Sequence, residues 1–182
     1  MDSLVFLGDY IDRGGRSYEV VEHLIRLQSK WPRIVFLKGN HEEMLLRYLN
    51  GADRYIYLAN GGTQTLESYL RHAGKTGRHP IDEAHMDFFS GLRLYHETEE
   101  FIFVHAGLKR EVPLQWQVPE DVIWIRESFI YSDYRFEKRV VFGHTPFTEP
   151  LVMPNKIGID TGAVYGNKLT CVKLPEVVFF HA

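Results

Sequence analysis

Several short apolar runs in this chain each break off into a polar loop rich in residues that can hold a metal, and that repetition constrains the fold most. Residues 4–7 lead into Gly8-Asp9-Tyr10-Ile11-Asp12-Arg13-Gly14, and residues 34–37 into Gly39-Asn40-His41-Glu42. Residues 101–104 lead into His105-Ala106-Gly107, and residues 139–142 into Gly143-His144-Thr145-Pro146. Short apolar runs with such punctuation read as buried strands. After the first of them, Ser17 offers a helix cap, and Val20, Val21, Leu24 and Leu27 recur at helical spacing until Trp31-Pro32 stops the pattern. Strands alternating with helices predict an α/β fold, in which ligands gather beyond the carboxyl ends of the strands.

Met44, Leu45 and Tyr48 predict a helix after the second loop, with Asn40 and Glu43 spaced as a capping box. Residues from about 50 to 92 read as a helical insertion, with helical character at 63–70 and 83–89 joined by the polar stretch 75–80 and no obvious chemistry. Strands dominate from Arg93 onward, at 94–97, 101–104, 139–142, 156–159, 168–174 and 177–180. The loops at 97–100 and at Pro175-Glu176 fit hairpins.

The 182 residues suit one domain, and a net charge of −3 from 21 basic and 24 acidic side chains argues against a nucleic-acid partner. No apolar run approaches the roughly 18 residues of a membrane span, so no membrane association is expected. The single cysteine, Cys171, reads as a small strand hydrophobe. With no leader pattern after Met1, the expected location is the cytoplasm.

A histidine at the end of one strand is more often a hydrogen-bonded structural residue than a ligand. Four loops delivering carboxylate, amide oxygen and imidazole to one sheet edge are better read as a site for a divalent ion: manganese first, with iron or zinc as alternatives. Gly8-Asp9-x-x-Asp12-Arg13-Gly14, Gly39-Asn40-His41-Glu42, His105-Ala106-Gly107 and Gly143-His144-Thr145-Pro146 occur in that order. In this the chain resembles the calcineurin-like metallophosphoesterases, and most of all their bacterial phosphoprotein phosphatase branch. Trp124-Ile125-Arg126-Glu127 and residues 159–166 extend the resemblance over nearly the whole chain.

The resemblance implies a two-sheet α/β sandwich flanked by helices and a pair of divalent ions. Asp9 would bridge the ions, while Asn40, His105 and His144 complete the second metal site. It implies that Arg13 and Arg126 grip phosphate through forked, charge-assisted hydrogen bonds, Arg126 having the plainer alternative of an ion pair with Glu127. His41 would be the general acid, oriented and kept basic by Asp12 against the opposing field of a helix N-terminus. Asp160 is a weaker candidate for orienting a ligand, since a carboxylate opening the turn before Gly162 is the simpler account. Tyr165 either reaches substrate or packs.

The family's opening Gly-Asp-x-His-Gly motif has no counterpart in this sequence. The expectation is therefore a single domain over 1–182, truncated by about one strand-helix unit, on the order of 30 residues. The second metal site is expected to be retained and the first to bind its ion weakly, and exposed sheet edges are expected to invite self-association. The resemblance implies a metal-dependent phosphomonoesterase acting on Ser/Thr phosphoproteins or small phosphoesters. The alternatives are a dinucleoside tetraphosphate hydrolase and a catalytically crippled phosphate-binding protein.

Overall fold

The computed structural model describes residues 3–73 and 81–182. The chain divides into two compact units, Met1–Arg93 and Leu94–Ala182. The polar stretch expected to join two helices at 75–80 lies outside the described residues.

In the first unit β1 (Leu4–Phe6) pairs in parallel with β2 (Ile34–Phe36), with Val5 opposite Val35. Two parallel strands need a crossover, and α1 (Ser17–Lys30) provides it, turning Val21 and Leu24 inward. Leu37 extends β2 by one bridge to Arg93. Beyond β2 come α2 (Asn40–Leu49), α3 (Arg54–Tyr57), a π-type turn at Leu58–Gly62, α4 (Thr63–His72) and α5 (Glu83–Ser90). The core gathers Val21, Leu24, Phe36, Met44, Leu45, Tyr57, Tyr69, Phe88 and Phe89, with Phe6 stacked on Phe36 at 5.1 Å. His85 is also buried here. Its Nδ1 lies 2.7 Å from the Tyr69 hydroxyl and its Nε2 3.2 Å from Glu22, which satisfies a polar ring in an apolar setting.

The second unit carries a five-stranded sheet in the order β3-β4-β5-β7-β6. Its strands are β3 (Tyr95–Glu97), β4 (Phe101–Val104), β5 (Arg139–Phe142), β6 (Leu151–Val152) and β7 (Lys156–Gly158). The central strands β4, β5 and β7 run parallel, whereas β3 and β6 pair antiparallel at the edges. A separate hairpin joins β8 (Thr170–Lys173) to β9 (Val178–His181), and Cys171, rather than filling a core position, is exposed on it. Helices α6 (Pro119–Trp124) and α7 (Glu127–Ile130) bury Val122, Ile123, Phe129 and Ile130 with Ile102, Val104, Val140 and Phe142.

Lys156 is 1% exposed and donates to the carbonyls of Phe129, Ile130 and Ser132. Its ammonium also sits 4.4 Å from the centre of the Phe129 ring. One β7 side chain thereby satisfies the carbonyls that close α7, which a four-residue helix cannot do internally. Burial draws its pKa below the ordinary lysine value.

The α/β class holds, and most strands and the helices of the first unit fall where the sequence pattern placed them, whereas α6, α7 and β6 were not anticipated. Two caps differ. Arg16, not Ser17, occupies the cap of α1, and the Ser17 hydroxyl instead faces Thr65 at 2.9 Å. Gly39 caps α2, so the third helical residue is Glu42 rather than Glu43, and its carboxylate accepts the Gly39 N–H at 2.8 Å. Among the described residues no helix is long and apolar enough to cross a membrane.

Candidate functional site

In the first unit the parallel strands deliver both polar loops to one edge. The loop after β1 is held in an unusual conformation: Asp9, Asp12 and Arg13 have φ of 60°, 75° and 61°. Three non-glycine residues in the left-handed region are costly, and such strain persists where surrounding contacts enforce it. At Asp9 the enforcing group is Glu42, whereas the Asp12 N–H is held by Thr65 and the Arg13 N–H by the Gly61 carbonyl. The fully buried Glu42 carboxylate accepts the N–H groups of Asp9 at 3.0 Å, Tyr10 at 2.7 Å and Gly39 at 2.8 Å. One side chain thus fastens the loop after β1 to the start of α2. Burial chiefly, then the Asp9 charge, push its pKa up to about 7, against the three backbone donors that favour the carboxylate.

Gly39 has no room for a side chain, since a Cβ would lie 2.2 Å from Asp9 Oδ1. That close approach sets the Asp9 carboxylate against the N-terminus of α2, where the His41 N–H comes within 3.5 Å of it and Asn40 is the first helical residue.

His41 Nδ1 lies 2.6 Å from Asp12 Oδ2, with both side chains buried. Burial is the largest influence on His41 and lowers its pKa, but Asp12 and Asp9 together outweigh it and leave the value raised. The other oxygen of Asp12 accepts the Tyr57 hydroxyl at 3.0 Å and the Thr65 hydroxyl at 2.7 Å. Burial, followed by the Asp12 charge, holds the Tyr57 phenol far above its ordinary pKa, so it remains a donor. Arg13 is exposed, and its backbone N–H donates to the Gly61 carbonyl at 3.1 Å.

In the second unit β4 and β5 end side by side, and the Gly143 N–H donates to the His105 carbonyl at 2.7 Å. Their histidines follow this pairing: His105 Nε2 and His144 Nδ1 are 3.1 Å apart, both rings buried. Two borderline nitrogen donors that converge where both rings are buried suit a divalent ion. His144 is held at φ 64°, and Trp124 stands edge-on to its ring at 6.1 Å.

Arg126, at the cap of α7 and exposed, donates from Nη1 to the His144 carbonyl at 3.1 Å and to the Thr145 hydroxyl at 3.0 Å. These bonds aim the guanidinium along the His144 loop. Asp160 accepts the Gly162 N–H at 2.9 Å, the turn geometry its sequence position suggested, and Tyr165 lies on an exposed 3₁₀ turn at Ala163–Tyr165.

Each unit therefore gathers its own share of the expected residues: Asp9, Asp12, Arg13, Asn40 and His41 in the first, His105, Arg126 and His144 in the second. Sequence reasoning missed Glu42, Tyr57 and Thr65. Glu42 carried a signal, a carboxylate three residues past a helix-capping glycine. Tyr57 and Thr65 carried none.

Comparison with known proteins gives consistent results. The bis(5'-nucleosyl)-tetraphosphatase PrpE of Bacillus subtilis is 28% identical over 195 residues, covering 96% of this chain and 76% of that protein. The protein of the same description from Oceanobacillus iheyensis is 28% identical over 202 residues, covering 97% of this chain and 75% of that protein. Among solved structures, a candidate diadenosine tetraphosphatase matches all of this chain and 80% of its own, with TM-score 0.75 and 22% identity. A cold-active protein tyrosine phosphatase matches 97% of this chain and 67% of its own, with TM-score 0.68 and 15% identity, a likeness of fold. The calcineurin-like phosphoesterase family model matches residues 2–173, which takes in both strand-end histidines, the Asp12–His41 pair and the Glu42 clasp: the chain belongs to that family.

Proposed function

We propose that this protein is a metal-dependent hydrolase that cleaves a bis(5'-nucleosyl) tetraphosphate unequally, giving one triphosphate and one monophosphate product. The observation that carries the reading is the alignment of 96% of this chain with a relative named for that asymmetrical cleavage. The Ser/Thr phosphoprotein reading of the sequence gives way to this one.

Asp9, Asn40, His105 and His144 would hold the divalent ions, Asp9 as the bridging ligand. When bound, such ions make water nucleophilic near neutral pH and offset the charge on the phosphoryl oxygens. The rest falls to the chain's own groups. Arg13 and Arg126 are the exposed guanidinium groups that would grip the polyphosphate and hold its phosphorus in line for attack. His41, its Nδ1 bonded to Asp12, presents Nε2 as the atom that donates a proton to the departing oxygen. Glu42 keeps the carboxylate of Asp9 facing the N-terminus of α2.

The test is a manganese-supplemented assay of the full chain on diadenosine tetraphosphate beside a phosphoserine peptide, with products separated by chromatography. Unequal nucleotide products and turnover about a hundredfold faster than on the peptide are expected. Faster turnover of the peptide, or cleavage into two equal halves, would reject the assignment.

A further inference from the structure

We propose that Tyr57 and Thr65, in the helical segment that showed no chemistry in the sequence, are positioning residues that hold the Asp12 carboxylate in the one orientation from which it bonds His41. A terminal carboxylate torsion is broad, so a single bond from Oδ2 to His41 leaves the group free to swing. Oδ1 is the oxygen that the segment captures, from Tyr57 at 3.0 Å and Thr65 at 2.7 Å.

The donors themselves are fixed in turn. Thr65 has one hydroxyl hydrogen and gives it to Asp12, so it accepts from the Ser17 hydroxyl at 2.9 Å and from the Asp12 N–H at 2.8 Å. The Tyr57 ring lies against Gly62, where a Cβ would approach within 2.5 Å, and beside Tyr48, with ring centres 5.0 Å apart. Gly61, at φ 100°, turns the chain between α3 and α4 so that both hydroxyls reach one carboxylate. None of Asp12, Ser17, His41, Tyr57 and Thr65 exceeds 5% exposure. In a site this dry, water cannot replace a lost donor at no cost.

The inference rests on the reading of His41 as the group that protonates the leaving oxygen, and the experiment separates the two. Tyr57→Phe, Thr65→Val, Thr65→Ser and Asp12→Asn are assayed on an alkyl phosphate, whose leaving group needs a proton, and on nitrophenyl phosphate, whose leaving group needs little. The downfield His41 Nδ1 proton is followed by NMR in the magnesium-loaded chain. Tyr57→Phe and Thr65→Val should lower kcat on the alkyl phosphate about tenfold, leave KM within about twofold, and cost nitrophenyl phosphate much less. Thr65→Ser should restore kcat, and the His41 proton should move upfield or broaden in the first two variants.

Equal losses on both substrates, or an unmoved proton, would overturn the positioning role while Asp12→Asn still discriminates between leaving groups. If Asp12→Asn itself loses both activities equally, the His41 reading fails and takes this inference with it. Tyr57→Phe removes one oxygen and keeps the ring on Gly62, so it decides the matter alone if Thr65→Val does not fold.

Discussion

Glu42 illustrates how one buried side chain can carry both architecture and a measurable titration. Its folded-state pKa of about 7 lies above the ordinary 4.5, so between those values the folded chain binds more protons than the unfolded one. The stabilisation from this group is complete below about pH 4.5 and is lost as pH rises through about 7. Urea midpoints of the metal-free chain should therefore fall across that window, and Glu42→Gln should flatten the slope. A slope unchanged in Glu42→Gln would assign the titration elsewhere. At this scale the candidates Asp9, Asn40, His105 and His144 stood out in advance because each follows closely on an apolar run. Tyr57 and Thr65 were not, since they meet Asp12 across 45 and 53 residues of chain, a separation at which local pattern carries no signal.

Among the elements, α7 is the one least able to stand alone. Four residues cannot close an internal hydrogen-bond ladder, so its ending depends on Lys156 from β7. Lys156→Met keeps most of the side-chain volume and removes the ammonium, taking the charged donor from the Phe129, Ile130 and Ser132 carbonyls, of which Phe129 and Ser132 keep a second, neutral donor. It should cost about 3 kcal/mol, read from denaturant midpoints at constant m. Arg126 occupies the cap of the same helix, so the variant should also weaken phosphate binding; full stability with unaltered KM would show that α7 is held otherwise. Most strand positions and the helices of the first unit were readable from apolar spacing, while α6 and α7, of six and four residues, are too short to show a helical period. β6 spans two residues, too few to show an alternation. The cap positions slipped by one residue because the hydroxyl of Ser17 has a stronger use against Thr65 than at a helix end.

For the molecule as a whole, the chain is two compact units, and each closes its own core around a set of strand-end polar residues. Family membership spans both, since the matched residues 2–173 leave little of either outside. What no periodicity could disclose is substrate, because the phosphoprotein and dinucleotide readings rest on the same motif residues. The protein also carries its own optical gauge of metal loading. Trp31, Trp116 and Trp124 are all substantially exposed, at 45%, 71% and 40%, so their emission starts near that of unfolded chain and reports folding poorly. Trp124 stands against a proposed ligand, with its ring 6.1 Å from that of His144. A paramagnetic ion such as manganese at His144 should quench the Trp124 share of the emission and spare the rest. Titration should give a saturable partial loss of fluorescence that Trp124→Phe abolishes, and undiminished quenching in that variant would place the ion elsewhere.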